Sequence, residues 1–204
     1  MNARKTQTDV TANRFQGAEF LIAAHRPQDW PADTGAEIAF LGRSNSGKSS
    51  AINAITGRPG LARASRDPGR TRQIVFFDLP GGRLVDLPGY GYAKVAPGVR
   101  RHWDTVVAAY LETRRCLRGI VLVADMRRGL ADAEHGFLDW CGRSDIPLLC
   151  LLSKSDKLNR SERTIALRTV TNAHPGLAVY PFSAKSGEGI EAARHALERW
   201  FSEG

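Results

Sequence analysis

Gly42-Arg-Ser-Asn-Ser-Gly-Lys48-Ser49 decides the fold, because it fits the phosphate-loop pattern G-x-x-x-x-G-K-[ST] without a mismatch. Before it, Glu37-Ile-Ala-Phe-Leu41 is a short apolar run of the kind a buried strand uses. After it, Ser50-Ala-Ile-Asn-Ala-Ile55 suits the first turns of a helix. Strand, glycine loop and helix is the context the motif needs. Gly42 and Gly47 let the backbone turn sharply, so that successive N–H groups across Arg43, Ser44, Asn45 and Ser46 point at one spot. Those groups and the helix N-terminus, with Ser50 just inside it, can hold phosphate oxygens. Lys48 adds a point charge for the β- and γ-phosphates, and the Ser49 hydroxyl is placed to ligate Mg2+.

A phosphate loop does not name the base. Later segments do. Asp86-Leu87-Pro88-Gly89 ends a second apolar run, Arg83-Leu-Val-Asp86. A carboxylate there sits behind the Mg2+ and accepts from its waters, and the Gly89 N–H can reach the γ-phosphate. Ser153-Lys154-Ser155-Asp156 ends the apolar run Pro147–Leu152. The Asp156 carboxylate can accept both N1–H and the exocyclic amino group of guanine. Adenine offers no such pair of donors. The stem of Lys154 can lie along the base plane. Phe182-Ser183-Ala184 follows the run Leu177–Tyr180, and the Ala184 N–H is the expected donor to guanine O6. Each short motif alone is weak; in this order after a phosphate loop they define a GTP site rather than an ATP site.

Arg66-Asp-Pro-Gly69-Arg70-Thr71 is a polar stretch rich in turn residues, followed by Arg72, Gln73 and the strand-like Ile74–Phe77. Thr71 can give Mg2+ a second protein hydroxyl when the γ-phosphate is present, and hydrolysis would release it. Lys48, Thr71 and Gly89 are thus expected at the reacting phosphate, Ser49, Thr71 and Asp86 around the metal.

The chain resembles the EngB (YihA/YsxC) family of bacterial ribosome-biogenesis GTPases, in the TrmE-Era-EngA-EngB-Septin-like class. The resemblance is carried by Gly42–Ser50, Pro68-Gly-Arg-Thr71, Asp86-Leu-Pro-Gly-Tyr-Gly-Tyr92 and Leu151-Leu-Ser-Lys-Ser-Asp-Lys157, and runs from about Phe20 to Phe201. One departure is Ser153, where such GTPases usually have Asn or Thr; serine keeps a hydroxyl for tying this loop to the phosphate loop. The resemblance implies a cytoplasmic GTPase acting in assembly of the large ribosomal subunit, with GTP or GDP as ligand. It also implies a link to normal cell division and septation.

The chain has 204 residues, 42% of them apolar, which suits one three-layer α/β core. A polar N-terminal segment over residues 1–14 is expected to be flexible, ahead of a single G domain over 15–204. No apolar stretch is long enough to span a bilayer, and the start has no apolar signal core. Cys116, Cys141 and Cys150 are too scattered for a disulfide frame or zinc site, and the five histidines lack metal-ligand spacing. Apolar runs at Ile38–Leu41, Gly119–Ala124, Leu148–Leu152 and Ala178–Phe182 lack alternation, as strands covered on both faces do. Helical patterns fall near Val99–Leu117, Ala131–Gly142, Arg160–Thr171 and Gly189–Ser202. The fold expected is a Ras-like P-loop GTPase domain, a doubly wound, mostly parallel sheet with one antiparallel edge strand. That strand comes from the hairpin signal Leu79-Pro-Gly-Gly82.

The formal net charge is +8. Arg58, Arg63, Arg66, Arg70 and Arg72, then Lys94, Arg100 and Arg101, cluster near the switch segments. Arg114, Arg115, Arg118, Arg127 and Arg128 form a second group along the chain. A basic surface beside a nucleotide-controlled loop suits rRNA backbone contacts without DNA specificity. Two functional classes follow: a GTPase switch acting on a ribosomal precursor, or a nucleotide-gated RNA-binding module with incidental hydrolysis. Tyr90 stands where many Ras-like GTPases carry a water-positioning glutamine, so intrinsic hydrolysis should be slow. Asn45 stands where potassium-using relatives carry an asparagine, which points to K+ as a second cation.

Overall fold

The computed structural model describes residues 14–63, 73–89, 106–143 and 146–202. Its strands are β1 (Glu19–Ala24), β2 (Ala36–Gly42), β3 (Ile74–Leu79), β4 (Gly82–Asp86), β5 (Leu117–Asp125), β6 (Leu148–Ser153) and β7 (Ala178–Pro181). Its helices are α1 (Lys48–Thr56), α2 (106–113), α3 (Asp132–Arg143), α4 (Arg160–Ala173) and α5 (Ile190–Ser202). One sheet takes all the strands in the order β1-β3-β4-β2-β5-β6-β7.

The lack of alternation in the apolar runs comes from two covered faces. Along a strand successive side chains point to opposite faces. Ile38 and Phe40 of β2, Val121 and Val123 of β5, and Leu149 and Leu151 of β6 share one core with α1 and α5. Ala39 and Leu41, Ile120 and Leu122, and Cys150 and Leu152 join the other core, under α2, α3 and α4. Both halves of each period are apolar, so the runs read as continuous. Cys150 is a fully buried member of that second core. α4 begins with a capping box: Asn159 Oδ1 accepts from the Glu162 N–H at 3.0 Å, and Glu162 Oε2 accepts from the Asn159 N–H at 2.9 Å.

β2, β4, β5, β6 and β7 are parallel neighbours. The hairpin between β3 and β4 is antiparallel, as expected, with Leu79 opposite Gly82. β3 is the strand that runs against the rest. Outside it lies β1, paired antiparallel with β3, a strand that the motif-led reading left unassigned. Phe20, Leu21 and Ile22 are exposed there, so neither face of β1 carries the burial pattern of the central strands. The helix expected over Val99–Leu117 is shorter at its C-terminal end. The helix stops at residue 113, and Leu117 opens β5 opposite Glu37.

Polar groups lock the start of β2 at the end of the sheet away from the phosphate loop. Glu37 is fully buried. Its Oε1 accepts from Arg83 Nη1 at 2.9 Å and Arg114 Nη2 at 2.6 Å. Its Oε2 accepts from Arg114 Nε at 2.8 Å and the Tyr110 hydroxyl at 2.9 Å. Burial, then the Glu37 charge, pushes the Tyr110 hydroxyl pKa up, so it stays a donor. Beside this group, Asp33 accepts from the Cys116 N–H at 2.9 Å and the Arg115 N–H at 3.2 Å. Hydrogen bonding from Cys116, with the Arg115 N–H and the Arg114 charge, lowers the Asp33 carboxyl to about 2.

Glu37→Ala leaves two guanidinium groups and a phenol without their shared acceptor. Removing one partner of a buried ionic group costs roughly 3–5 kcal/mol, and urea unfolding should show a loss of that size. Asp33 gives a pH-dependent contribution. Its folded pKa lies below the unfolded value of about 3.9, so the stabilisation is present above that value. It is lost as pH falls toward the folded value of about 2. The stability difference between wild type and Asp33→Asn should therefore be flat from neutral pH down to about 5 and shrink below about 4, measured by denaturant midpoints across pH.

Candidate functional site

The C-terminal ends of the parallel strands share one end of the sheet, and four of the sequence motifs follow them. β2 runs into the phosphate loop, β4 ends at Asp86, β6 ends at Ser153, and β7 leads to Phe182-Ser183-Ala184. β2 has β4 on one side and β5 on the other. The chain leaves β2 toward the β3 side and leaves β4 for β5 on the other side, a reversal at which α/β sheets place ligands outside the carboxyl ends of the strands.

The phosphate loop has the backbone a cradle needs. A Cβ on Gly42 would lie 2.5 Å from the Val123 carbonyl oxygen and 2.6 Å from Ser46 Oγ, so only glycine fits there. Gly47 has φ 97° and caps α1. Asn45 is also left-handed, at φ 64°, and its side chain is on the exposed surface. Arg43 and Ser44 are half-buried, and Gly89 lies against Ser44. Ser44 Oγ and Ser46 Oγ are buried without a protein hydrogen-bond partner. Ser49 is half-buried in the first turn of α1, and Ser50 is exposed. Lys48 Nζ pairs with Asp86 Oδ1, joining the start of α1 to the end of β4. Leu87 donates its N–H to the Phe40 carbonyl at 3.0 Å and, with Pro88, is buried. The Ser46 N–H donates to the Arg43 carbonyl at 2.9 Å, closing the loop on itself. Orphaned hydroxyls, a lysine and a carboxylate beside a helix N-terminus fit a magnesium–nucleotide phosphate chain.

The loops expected at the base are tied to the phosphate loop by hydrogen bonds. Ser153 Oγ donates to the Ser46 carbonyl. Lys154, at φ 59°, sends Nζ to the Asn45 carbonyl at 2.6 Å and to Asp125 Oδ2 at 3.0 Å. Ser155 is fully buried and donates its N–H to the Phe182 carbonyl at 3.2 Å. Asp156 and Ser183 meet across the loops: Ser183 Oγ donates to Asp156 Oδ1 at 2.8 Å. That hydrogen bond, with the Lys157 charge, holds the Asp156 carboxyl below the usual carboxylate range. Asp156 is therefore an ionised acceptor at neutral pH, with lone pairs left for a base edge. Phe182 is buried and Ala184 exposed.

Asp125, at the end of β5, joins this cluster although no motif pointed to it. Burial raises its pKa, but hydrogen bonds from Arg127 and Lys154 outweigh that and hold it ionised. Its signal was positional: it closes a buried strand as Asp86 and Ser153 do. Gly69, Arg70, Thr71 and Arg72, with Tyr90, lie outside the described residues. Gln73 stands apart, its amide nitrogen 2.7 Å from His25 Nε2. The arginine group from Arg114 to Arg128 is not one patch. Arg114 is buried against Glu37, and Arg127 is engaged with Asp125. The nine residues of β5 separate the two ends of the group, roughly 30 Å at ~3.3 Å per residue.

Residues 37–154, more than half the chain, match the family profile described as 50S ribosome-binding GTPase. A probable GTP-binding protein EngB of Coxiella burnetii (strain CbuK_Q154) is 46% identical over 197 residues, covering 94% of this chain and 96% of that protein. One of Nitrosococcus oceani is 48% identical over 195 residues, covering 93% and 98%. The crystal structure of a probable GTP-binding protein engB superposes with a TM-score of 0.68 at 25% identity, covering 83% of this chain and 100% of the other. The chain therefore belongs to the EngB family of GTP-binding proteins, with a P-loop GTPase fold.

Proposed function

We propose that this chain is a Mg2+-dependent GTP hydrolase that acts as a nucleotide-controlled switch on the large ribosomal subunit or its precursor. One observation carries the reading: phosphate loop, Asp86, Ser153–Asp156 and Ser183–Ala184 converge on one end of the sheet and are bonded to one another there. The family description, with its 50S ribosome, supports the partner. The G domain spans residues 15–204 in this reading, and rRNA and ribosomal proteins supply the contacts. A cytoplasmic location and the tie to cell division and septation rest on the family resemblance.

Lys48, the Gly89 N–H and the loop amides hold the β- and γ-phosphates, and Ser49, Thr71 and Asp86 surround the metal. Mg2+, when bound, would neutralise charge on the β- and γ-oxygens. The Lys48–Asp86 pair couples the two ligands: phosphate draws on Lys48 and the divalent cation on Asp86, so each relieves the other's cost of breaking the pair. Asp156 and the Ala184 N–H read the base edge, with Lys154 along its plane. Asn45, exposed at the loop tip, is the candidate contact for K+ beside the β/γ bridge. Without a glutamine after Gly89, intrinsic turnover is slow.

Asp156→Asn exchanges an acceptor for a donor at the base edge. GTP binding should weaken by at least about a hundredfold, the effect of one lost charged hydrogen bond plus one repulsive contact, while xanthosine triphosphate binding improves. Calorimetric titration of GTP, ATP and XTP into both proteins checks it, and wild-type ATP binding as tight as GTP would remove the guanine assignment. The partner is tested by sedimentation with 50S particles over a salt series. Binding should be tighter with a non-hydrolysable GTP analogue than with GDP, and should fall steeply with salt as counterions are released. Thr71→Ala should erase the nucleotide difference. Pelleting that ignores both nucleotide and salt would leave a GTPase without this partner. Faster hydrolysis in KCl than in NaCl is the expected result for the K+ role, and equal rates in the two salts, both with and without ribosomal particles, would overturn it.

A further inference from the structure

Glu188 closes the loop that begins at Ser183. The Ser183 N–H donates to the Glu188 carbonyl at 3.0 Å, and the Gly187 N–H donates to the Ser183 carbonyl at 2.9 Å. Gly187 and Gly189, at φ 82° and 78°, flank it. Its side chain leaves this loop for the other one. Oε2 accepts from Ser155 Oγ at 2.6 Å, and Oε1 pairs with Arg163 of α4. Ser155 adjoins Asp156 in sequence, and Ser183 adjoins Ala184. Glu188 thus bonds, by backbone and by side chain, to the neighbour of each residue expected to read the base.

We propose that Glu188 is a positioning residue for guanine recognition, setting the distance between the Asp156 carboxylate and the Ala184 N–H; this rests on the guanine-site reading above. Its two side-chain contacts differ in weight. The ion pair with Arg163 has both partners about one-third exposed, at 31% and 36%, and solvent screens such pairs. The bond from Ser155 is the stronger constraint, because that residue is fully buried. Losing the acceptor would leave a buried hydroxyl unsatisfied and free the turn Ser155–Lys157 to shift. Asp156 travels with that turn, while its second tether, Ser183, is itself anchored to the Glu188 carbonyl.

The purine bases separate this role from a purely structural one. Hypoxanthine keeps O6 and N1–H and lacks the 2-amino group. The ratio of GDP to IDP affinity therefore reports how well Asp156 meets that amino group. Dissociation constants for GDP, IDP and ADP are measured on the full chain by calorimetry, with circular dichroism to verify folding. Glu188→Ala should lower the GDP/IDP preference about tenfold, the worth of one hydrogen bond. Glu188→Gln should recover most of it, since the amide can donate to Ser155 Oγ and accept from Arg163. Arg163→Ala should keep the ratio. Ser155→Ala, which removes one hydroxyl, should behave like Glu188→Ala and carries the test if that variant fails to fold. Equal weakening of GDP and IDP, or a loss of stability with an unchanged ratio, would overturn the proposal. Wild-type protein that binds ADP as well as GDP would instead overturn the guanine-site reading, whatever the variants do.

Discussion

Two hydrogen bonds from the end of β6 fix the loop that carries Asp156 to the phosphate loop. Ser153 Oγ donates to the Ser46 carbonyl, and Lys154 Nζ donates to the Asn45 carbonyl. Both acceptors are main-chain atoms of the phosphate loop, so the loop is held by its backbone and its side chains remain available. A nucleotide presents base and phosphates at a set separation, and on the guanine-site reading proposed above these bonds set the corresponding separation in the protein. Everything outside them serves to hold β2 and β6 in place: the strand β5 between them, the two apolar layers and the caps of the flanking helices. Asp125 extends the same arrangement, holding Lys154 from the end of β5.

Charge is used differently at the two ends of the sheet. At the start of β2, Glu37 gathers Arg83, Arg114 and Tyr110 into a saturated group with each carboxylate oxygen accepting two donors. Such a group anchors the end of α2 and the start of β4 on β2, and leaves no lone pair for a ligand. At the other end, Ser44 and Ser46 bury hydroxyls that meet no protein partner, and Asp156 keeps open lone pairs. Saturation marks one pole and open valence the other, the one proposed above to bind nucleotide, although both contain ionic side chains. The net charge of the chain distinguishes neither.

Legibility in the sequence followed the same division. Gly42 to Ser49 was readable because steric limits on backbone conformation allow few residues: Gly42 has no room for a Cβ, and Gly47 has a left-handed φ. The central strands were readable because two covered faces demand unbroken apolar runs. β1 was not, since Phe20, Leu21 and Ile22 are exposed on an edge and their apolar character answers to no core. The arginines at 114–128 misled for a geometric reason: neighbours in sequence lie far apart when a nine-residue strand runs between them. Asp125 and Glu37 were missed because tertiary pairing, invisible in one strand, gives each its role.

On the guanine-site reading proposed above, the two halves of the site are built from different materials. The phosphate half depends on main-chain conformation: left-handed Asn45 and Gly47, and the tight approach of Gly42 to β5. The base half depends on side chains: Asp156 aimed by Ser183, the turn before it pinned through Ser155, and Lys154 stretched across to the loop. Amides recognise phosphate, a feature common to all nucleotides, so that half needs shape more than residue identity. Recognition of one purine needs specific donors and acceptors at fixed distances, and a polar site discriminates because a wrong base leaves its buried groups unpaired. On that reading the base half requires supporting side chains that place others: Ser155 and Ser183 inside the motifs, and Glu188 four residues past Ala184, where no motif records it.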